Sequence, residues 1–480
     1  MQPATPYPSA SPVLGRLSER HLTTVGGHFD QVRTSLAGRS YRRQLAHYYN
    51  LLIPPTASVL DVGCGDGELL ALLVAARKTG VDLSEAQVER ARARMPEGTF
   101  YCQAGELLDL PETYDVIILS DTLNFSADVQ GLLDRLATVA TPETRLIVNF
   151  HNTLWRPIFA VAELLGIRER SPAASWLSSS DVENLLELSR WECIKQQPRL
   201  LWPVATPLVA PLLNRWIAPL VPFACLAIFT VARLRPSPGP KPLTVSVVIP
   251  ARNEAGNIEQ AVIRTPAMGA GTELIFIEGH SRDNTWDEIL RVKAAYRDLK
   301  ITALRQTGKG KGNAVQEAFA IAEGDVLMIL DADLTMPPEE LPKFYDAIAS
   351  GNAEFANGSR LVYPMEKAAM QFLNMVANKF FGVAFSWLLG QRIKDTLCGT
   401  KVLRRKHYLT IAANRNYFGE FDPFGDFDLL FGADKQNLKL RDIPIRYRDR
   451  TYGSTNIQRW SHGLLLFRML GVAARKLKFI

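Results

Sequence analysis

Residues 58–70 read SVLDVGCGDGELL, and this stretch decides the fold of the first half of the chain. An apolar strand runs into three glycines at alternate positions, Gly63, Gly65 and Gly67, and a helical pattern follows. Glycines in this spacing let the backbone turn sharply and approach a ligand closely. A second strand ends in Asp82, where an acidic side chain about 20 residues past such a loop can accept hydrogen bonds from a ribose.

Two details favour S-adenosylmethionine over a dinucleotide as the ligand of this loop. Asp61 stands at the head of the loop, and a carboxylate suits a cationic sulfonium and an amino group better than a pyrophosphate. Further along, AGELLDL (104–110) supplies Glu106, which we expect near an adenine edge. The alternatives are a dehydrogenase, which would have to bind nicotinamide better, and a binding scaffold that has lost activity.

This half resembles class I S-adenosylmethionine-dependent methyltransferases over residues 29–235. The matching segments are VLDVGCGDG, GVDLSEAQVERAR, TYDVIILSDTLNF and TRLIVNFHN. The resemblance implies that Asp61 and the three glycines hold the methionine end, Asp82 the ribose and Glu106 the adenine. It also implies a sheet that closes with an antiparallel strand over residues 226–234.

The methyl acceptor is less clear. No Asn-Pro-Pro-Tyr follows the fourth strand, so the usual signature of base methylation is missing. His151, just after the fifth strand, is a candidate general base, because a neutral imidazole can take a proton from a hydroxyl near pH 7. A histidine hydrogen-bonded within its loop is the alternative. Asp121 and Asn124 are further candidates for the wall of the acceptor site.

The second half carries a different set of motifs. VSVVIPARNEAGN (245–257) is a buried strand that ends in a turn, with Pro250, Asn253 and Glu254 at its mouth. The loop RQTGKGKGNA (305–314) can wrap a diphosphate with its glycines and lysines. It is not a Walker loop, because no Ser or Thr follows the lysine.

The strand VLMILDADL ends in Asp331 and Asp333. Carboxylates two residues apart at a strand terminus can share one divalent cation, and Mg²⁺ or Mn²⁺ takes such hard oxygen ligands. The metal would neutralise charge on a leaving nucleoside diphosphate. A nucleotidyltransferase also joins a Gly/Lys loop to a metal aspartate, but it would place that loop after the first strand, where this chain has PARNE.

This half resembles family 2 glycosyltransferases with the GT-A fold over residues 243–460, and most of all the branch of dolichyl-phosphate mannose synthase and its bacterial polyprenyl-phosphate relatives. The resemblance rests on LDADLTMPPEEL, NGSRL, DTLCGTKVLRR and IPIRYRDRTYGST. It implies an inverting, metal-dependent sugar transfer with Asp331 and Asp333 on the metal and Arg360 near an acceptor phosphate. The implied nucleotide-sugar residues are Pro250, Asn253, Glu254, Glu278, Lys309, Lys311 and Asp331.

The sequence departs from that branch at the donor and acceptor sites. Glu278 and Gly279 stand where the family usually has two aspartates, which leaves the nucleotide base open. A phosphate monoester, with its second pKa about 6, attacks without a general base, whereas a sugar hydroxyl needs one. Asp426 and Asp428 are the candidate bases, and structural or helix-capping roles are the alternative. The acceptor is therefore expected to be a polyprenyl phosphate or another glycan or lipid.

The whole chain is expected to be α/β, with two Rossmann-like domains, a class I methyltransferase fold followed by a GT-A fold. The boundaries are a flexible leader over 1–28, the first domain over 29–235, a Pro-rich linker over 236–243, and the second domain over 244–480, which ends in a basic amphipathic helix. At 480 residues, 47% hydrophobic and 22% charged, the composition is that of a globular two-domain protein.

Charge and cysteines bear on partners and location. The net charge of +6 suits nucleotides or acidic lipid surfaces, and no basic-aromatic module indicates nucleic acid. Five scattered cysteines indicate neither zinc nor disulfides, so a cytoplasmic setting is expected, free or peripheral at the inner face of the membrane. The apolar stretch 200–231 is broken by five prolines and is expected to be a buried cap or an interfacial segment, not a membrane span.

Overall fold

The structure is a computed structural model. It describes residues 12–31, 36–165, 175–236, 242–363, 372–415, 426–448, 450, 452 and 459–480. The chain forms two compact units, Met1–Arg235 and Pro236–Ile480.

In the described part of the first unit, seven strands form one sheet in the order β3-β2-β1-β4-β5-β7-β6. The strands are β1 Ser58–Val62, β2 Arg77–Asp82, β3 Thr99–Cys102, β4 Val116–Ser120, β5 Arg145–His151, β6 Trp191–Arg199 and β7 Ala227–Leu234. The helices are α1 Pro12–Gln31, α2 Leu36–Leu52, α3 Glu68–Leu72, α4 Glu85–Arg94, α5 Val129–Leu136, α6 Arg156–Leu164, α7 Ser179–Leu188 and the single turn α8 Val209–Pro211.

The strand directions place the candidate site of this unit. β1 pairs in parallel with β2 and β4, and β5 pairs in parallel with β4, so these strands end at one edge of the sheet. Their residues are buried almost without alternation, as expected when helices cover both faces. β7 runs antiparallel between β5 and β6, which confirms the predicted antiparallel strand.

The N-terminal region differs from the predicted leader. Residues 12–28 belong to α1, in which Val25 is buried. Gln87 at the start of α4 donates to the carbonyl of Phe29 at 2.6 Å, and Ser84 donates to the carboxylate of Asp30 at 2.5 Å. The C-terminal half of α1 therefore packs within the first unit, which the Pro/Ser-rich start of the chain does not indicate.

In the described part of the second unit, seven strands form a sheet in the order β10-β9-β8-β11-β13-β12-β14. They are β8 Thr244–Ala251, β9 Gly271–Glu278, β10 Lys300–Arg305, β11 Val326–Ile329, β12 Phe355–Ser359, β13 Lys401–Arg404 and β14 Leu440–Pro444. The helices are α9 Ile258–Arg264, α10 Thr285–Ala295, α11 Lys311–Ile321, α12 Leu341–Ala349, α13 Phe372–Leu389, α14 Arg405–Ala413, α15 Asp426–Lys435 and α16 Arg459–Leu477.

Four neighbouring strands of this sheet, β10, β9, β8 and β11, are parallel to one another. The PARNE segment begins at the end of β8. β13 lies antiparallel to both β11 and β12, and β14 pairs in parallel with β12. The loops that follow β8, β9 and β11 therefore meet at one edge, which is where ligands bind in open α/β sheets. Among the helices described, none is both long and apolar enough to cross a bilayer.

Candidate active sites

The glycine loop of the first unit has the conformation that its sequence predicts. Gly63, Gly65 and Gly67 have φ values of 82°, 54° and 70°, a region that side chains rarely adopt. A Cβ at Gly63 would lie 2.5 Å from Oγ1 of Thr122, so that glycine is also required by packing. A Cβ at Gly65 would meet no atom within 4 Å, so the loop leaves open space at that position.

Asp61, at the head of the loop, is fully buried at the end of β1. Within the described residues, neither oxygen of its carboxylate has a hydrogen-bond partner. Burial and the neighbouring charge of Asp82 raise the pKa of Asp61 to about 7, against the opposing influence of Arg42. An unpaired buried carboxylate is costly, and an ammonium or sulfonium placed beside it would remove that cost. The residues present therefore fit S-adenosylmethionine.

Asp82 and Glu106 are both held in place by hydrogen bonds. Asp82 accepts from the backbone amides of Gly65 at 2.7 Å and Ser84 at 2.9 Å, and burial raises its pKa. Oε1 of Glu106 accepts from Oγ of Ser126 at 2.8 Å and from a backbone amide at 2.9 Å. Their roles toward a ribose and an adenine stay predictions.

Arg42 on α2 ties that helix to the glycine loop, which no motif in the sequence indicates. Its guanidinium lies 2.7 Å from Oδ1 of Asp66 and 3.1 Å from Oε2 of Glu68. Burial would raise the pKa of Asp66, but Arg42 and Arg94 together lower it. The loop is thus held from α2 and from α4.

His151 ends β5 inside a cluster that α2 completes. Nε2 of His151 lies 3.3 Å from the hydroxyl of Tyr41 and 3.6 Å from Oδ1 of Asp121. Asp121 follows β4 with a φ of 57°, a strained conformation for a residue other than glycine. The rings of Phe159 and Trp176 lie 5.3 and 6.3 Å from the imidazole. Tyr41, Phe159 and Trp176 could not be singled out from sequence, because none belongs to a motif.

Asn124, the other predicted wall residue, has a different environment. Its side chain is buried and donates to the carbonyl of Ser175 at 2.7 Å. The backbone carbonyl of Asn124 accepts from the backbone amide of Ser175 at 2.8 Å. These contacts hold the residue that precedes Trp176, so Asn124 positions this part of the wall indirectly.

In the second unit, the PARNE turn packs against the loop after β9. Pro250 lies near the end of β8, and Asn253 follows that strand with a φ of 57°. The side-chain oxygen of Asn253 accepts a hydrogen bond from the backbone amide of Arg282 at 2.7 Å. Glu254 is buried and accepts from Asn257 at 2.7 Å and from Arg450 at 3.2 Å. Burial raises the pKa of Glu254 although Arg450 lowers it. Glu278, also buried, accepts from the amide of Ser281.

The two metal candidates are each paired with a basic side chain. Nζ of Lys311, the first residue of α11, lies 2.6 Å from Oδ1 of Asp331. Nη2 of Arg450 lies 2.5 Å from Oδ2 of Asp333, and Thr335 donates to Oδ1 of Asp333 at 2.8 Å. The Gly/Lys loop is thus joined to the DxD by an ion pair, and the roles of these residues toward a diphosphate and a metal stay predictions. Lys309 is exposed on that loop.

These carboxylates fit a divalent cation in charge and chemistry, since both already attract cations to one edge of the sheet. Within the described ranges, no group of three or more His, Cys, Asp or Glu side chains surrounds a metal position. A metal held here would therefore need oxygens from a diphosphate or water to complete its coordination.

Arg360, predicted near an acceptor phosphate, forms a buried bidentate pair with Asp395. Its Nε and Nη2 lie 2.7 and 2.9 Å from the two carboxylate oxygens. Burial would raise the pKa of Asp395, but Arg360 lowers it to about 2. Asn378 donates to the same carboxylate at 2.8 Å. The contact to an acceptor stays a prediction, and the visible role of Arg360 is to fix the segment 395–398 beside β12.

The two candidate bases lie on α15. Asp428 is paired with Arg415, whose Nε lies 3.0 Å from Oδ2. Asp426 is the first residue of that helix, and its side chain lies outside the described residues. Neither catalytic role is decided by these contacts, so both stay predictions.

Comparison with known proteins assigns the two units to families. The family described as methyltransferase domain matches residues 54–195, and the family described as glycosyl transferase family 2 matches residues 246–411. A dolichol-phosphate mannosyltransferase of Pyrococcus furiosus is 37% identical over 123 residues, covering 25% of this chain and 34% of that protein. A low-salt glycan biosynthesis hexosyltransferase of Haloferax volcanii is 29% identical over 236 residues, covering 48% of this chain and 54% of that protein. The chain thus spans about a third to a half of the length of these relatives.

Two solved structures are similar to the separate halves. An S-adenosylmethionine-dependent methyltransferase from Thermotoga maritima is 17% identical, with a TM-score of 0.32, and covers 46% of this chain and 99% of its own. Glucosyl-3-phosphoglycerate synthase from Mycobacterium tuberculosis is 18% identical, with a TM-score of 0.37, and covers 49% of this chain and 80% of its own. By its family matches and its two α/β sheets, the chain joins a methyltransferase domain to a family 2 glycosyltransferase domain.

Proposed function

We propose that the first unit transfers a methyl group from S-adenosylmethionine to a hydroxyl acceptor. The observation that carries this proposal is the buried carboxylate of Asp61, which lacks a partner within the described residues beside a loop of three left-handed glycines. When bound, the cofactor supplies the electrophilic methyl group. Asp61 would accept hydrogen bonds from its amino group, and Asp82 would accept them from its ribose.

The acceptor site in this proposal is the cluster around His151. An imidazole that takes the proton of a hydroxyl becomes a cation, and Asp121 at 3.6 Å and Tyr41 at 3.3 Å are placed to stabilise it. Phe159 and Trp176 would contact the apolar part of the acceptor and keep water from the imidazole. A hydroxyl acceptor is favoured over an amine because an amine that is already neutral needs no such base.

A transfer assay with separate lipid and glycan extracts tests the methyl-transfer proposal even while the acceptor is unidentified. The full chain would be incubated with labelled S-adenosylmethionine and separate lipid and glycan extracts. We expect label in one extract with the wild type, and little with His151→Gln, whose cofactor binding should be unchanged. Equal labelling by His151→Gln would refute the role of His151, and no labelling with intact cofactor binding would favour a binding scaffold.

For the second unit we propose metal-assisted transfer of a sugar from a nucleotide sugar to a polyprenyl phosphate or another membrane-proximal acceptor, with inversion at the anomeric carbon. The observation that carries it is the meeting of Asp331, Asp333 and Lys311 at the edge where the PARNE turn lies. When bound, a divalent metal neutralises charge on the diphosphate. Lys311, Lys309 and Arg450 would contact the diphosphate, and Asn253 and Glu254 would line the nucleotide site.

The Pyrococcus relative is named a dolichol-phosphate mannosyltransferase, which supports a lipid phosphate as the acceptor. Such an acceptor is largely ionised at pH 7, since its second pKa is about 6, and attacks without a base. Asp426 and Asp428 would then have structural roles. A hydroxyl acceptor would instead require one of them as a base, so unchanged activity in both Asp426→Asn and Asp428→Asn would favour a phosphate acceptor.

Donor binding tests this proposal directly. UDP-, GDP- and dTDP-sugars would be titrated into the full chain with and without Mn²⁺, and again into Asp333→Ala. We expect one donor to bind in a metal-dependent way and to be lost in the variant. Metal-dependent binding of a nucleoside triphosphate with no binding of any sugar donor would favour a nucleotidyltransferase.

We further propose that both units act in one glycolipid or polysaccharide pathway at the cytoplasmic face of the membrane.

A further inference from the structure

The segment between β6 and β7 is the part of the first unit that the proposed chemistry leaves unused. Residues 202–223, called the arm below, leave and rejoin the sheet at a point where the amide of Leu226 donates to the carbonyl of Leu200 at 2.7 Å. Between Leu200 and Leu226 the sequence has no acidic residue, and Arg215 is its single charge. Most of its large apolar side chains are exposed in this structure.

The arm has its polar side turned inward. The side chain of Asn214 accepts from the amide of Trp202 at 2.7 Å and donates to Gln44 of α2 at 2.6 Å. Gln44 in turn donates to the carbonyl of Pro203 at 2.8 Å. A surface helix of a soluble domain normally does the reverse, with its apolar stripe on the core and its polar groups in water.

The outward side of the arm is an apolar ridge. Leu208, Leu212, Trp216 and Leu220 follow one another at intervals of four and are all exposed, and residues 212–217 form a π-helical turn. Leu208 is 86% exposed and has a φ of 65°, so a strained backbone holds a leucine out into solvent. Packing against the described residues of the unit does not explain this.

α6 continues the ridge beside the acceptor cluster. Its base is fixed to the end of the arm, because Asn152 donates to the carbonyl of Phe223 at 2.8 Å and Trp155 donates to that of Ala224 at 2.9 Å. On the inner side of α6, Phe159 contacts His151. On the outer side, Ile158, Val161 and Leu165 are exposed at helical spacing. We call the exposed side chains of the arm and α6 the apolar face.

We propose that the apolar face is a docking surface for a lipid bilayer with anionic headgroups. Exposed apolar side chains grouped on one surface mark an interaction site in soluble proteins. Three features favour a bilayer. Aliphatic side chains lie together with tryptophan, which prefers the membrane interface. The guanidinium of Arg215 lies over the Trp216 ring at 5.6 Å, where it can contact a lipid phosphate, and the arm carries no acidic residue that would repel an anionic headgroup.

The surface lies next to the cluster that contains His151, so docking would bring a lipid-borne acceptor to the proposed methyl-transfer site. The docking itself does not depend on methyl transfer. A failure of vesicle binding and a failure of cofactor binding are therefore separate results, and both are measured on the same full chain.

A local probe tests the proposal, since the second unit also exposes apolar side chains such as Val383 and Phe467. In a Cys102→Ser background, the environment-sensitive dye NBD would be attached at Leu208→Cys and, as a matched control, at Leu188→Cys, which is 57% exposed at the end of α7. Phosphatidylcholine vesicles with and without phosphatidylglycerol are then added. We expect a blue shift and brighter emission at position 208, stronger with phosphatidylglycerol, and no change at position 188.

A second experiment uses unlabelled protein in vesicle flotation. The variant Leu208→Gln/Leu212→Gln/Phe223→Gln should bind phosphatidylglycerol vesicles roughly tenfold more weakly, because three exposed apolar side chains no longer leave water. The control Leu188→Gln/Ile263→Gln/Leu409→Gln should bind like the wild type, and S-adenosylmethionine binding should be unchanged in both. Flotation without a signal at position 208 would assign the contact to the second unit and overturn the proposal. A signal that rises with protein concentration in the absence of vesicles, together with a doubled mass, would replace the bilayer with a second copy of the chain.

Discussion

Arg450 and Asp333 form an ion pair, with Nη2 of Arg450 2.5 Å from Oδ2 of the carboxylate. The same guanidinium lies 3.2 Å from Oε1 of Glu254, so one cation joins the PARNE turn to the DxD. Arg450 lies more than a hundred residues after each of these two partners. Arg450 thus neutralises part of the carboxylate charge that a bound metal ion would otherwise neutralise. Its displacement by a metal, or its transfer to a diphosphate, would couple donor binding to the loop that carries it.

The first prediction concerns Arg450. Arg450→Ala should strengthen the binding of Mn²⁺ alone by about 2- to 5-fold, because a partly exposed ion pair of this kind contributes about a kilocalorie per mole or less to holding the carboxylate. The measurement is electron paramagnetic resonance of free Mn²⁺ in the absence of nucleotide. The control is Arg448→Ala, two residues away, where the backbone amide bonds to the carbonyl of Thr335 and the side chain is exposed. Equal effects of both variants would show that only the general charge of the loop matters.

The second prediction concerns the pH dependence of the first unit. The folded pKa of Asp61, about 7, lies above its ordinary value of 3.8. A raised carboxyl pKa stabilises the fold at low pH, and that contribution is lost as the pH rises from about 4 through about 7. Without cofactor, Asp61→Asn should therefore be more stable than the wild type by on the order of 2–4 kcal/mol at pH 8 and equal to it near pH 4.

Calorimetric unfolding of the wild type and Asp61→Asn at several pH values checks this. Subtracting the free energy of unfolding of the wild type from that of Asp61→Asn at each pH cancels the contributions of the other titrating groups. A difference that stays constant from pH 4 to pH 8 would mean that Asp61 already has a partner in the free protein, which would remove the argument for an ammonium beside it.

The third prediction concerns the buried pair of Arg360 and Asp395. Asp395→Asn should destabilise the second unit by about 3–5 kcal/mol, because a buried guanidinium loses its countercharge. The folded pKa of Asp395, about 2, lies below 3.8, so this stabilisation is complete above about pH 4 and is lost as the pH falls toward 2. Glu323→Gln, which removes a surface partner of Lys300, is the matched control and should change little. Comparable melting temperatures for the two variants would show that Arg360 does not depend on Asp395.

The fourth prediction separates chemistry from binding in the first unit. His151→Gln should lower kcat of methyl transfer by about 10²- to 10⁴-fold, the usual contribution of a general base, with little change in the dissociation constant of S-adenosylmethionine. Tyr41→Phe should shift the pH profile of the reaction, since it removes a hydroxyl 3.3 Å from the imidazole. An unchanged profile in Tyr41→Phe would leave Tyr41 with a packing role only.

Motifs that lie within one short segment were predictable, and contacts between distant segments were not. The glycine loop after β1 could be predicted because the spacing of Gly63, Gly65 and Gly67 dictates its backbone. The antiparallel β7 followed from the family resemblance and was confirmed. Arg42 and Tyr41 could not be predicted because they sit on α2 without a motif, and they reach the site only through tertiary packing.

Other differences have similar physical causes. The helix α1 over Pro12–Gln31 was not expected from the Pro/Ser-rich start of the chain, because the burial of Val25 depends on tertiary packing. Arg450 belongs to a segment that carries the family resemblance, IPIRYRDRTYGST, but its partners lie 117 and 196 residues away. The interval of four in the arm is visible in the sequence, but only the structure shows that these apolar side chains are exposed.

The central claim is that one chain carries two separate transferase sites, and a crossed calorimetric titration tests it most directly. S-adenosylmethionine and the preferred nucleotide sugar with Mn²⁺ would each be titrated into the wild type, Asp61→Asn and Asp333→Ala. We predict that Asp61→Asn loses only the methyl donor and that Asp333→Ala loses only the sugar donor. Loss of both ligands in either variant, or failure of the wild type to bind either of them, would contradict the claim.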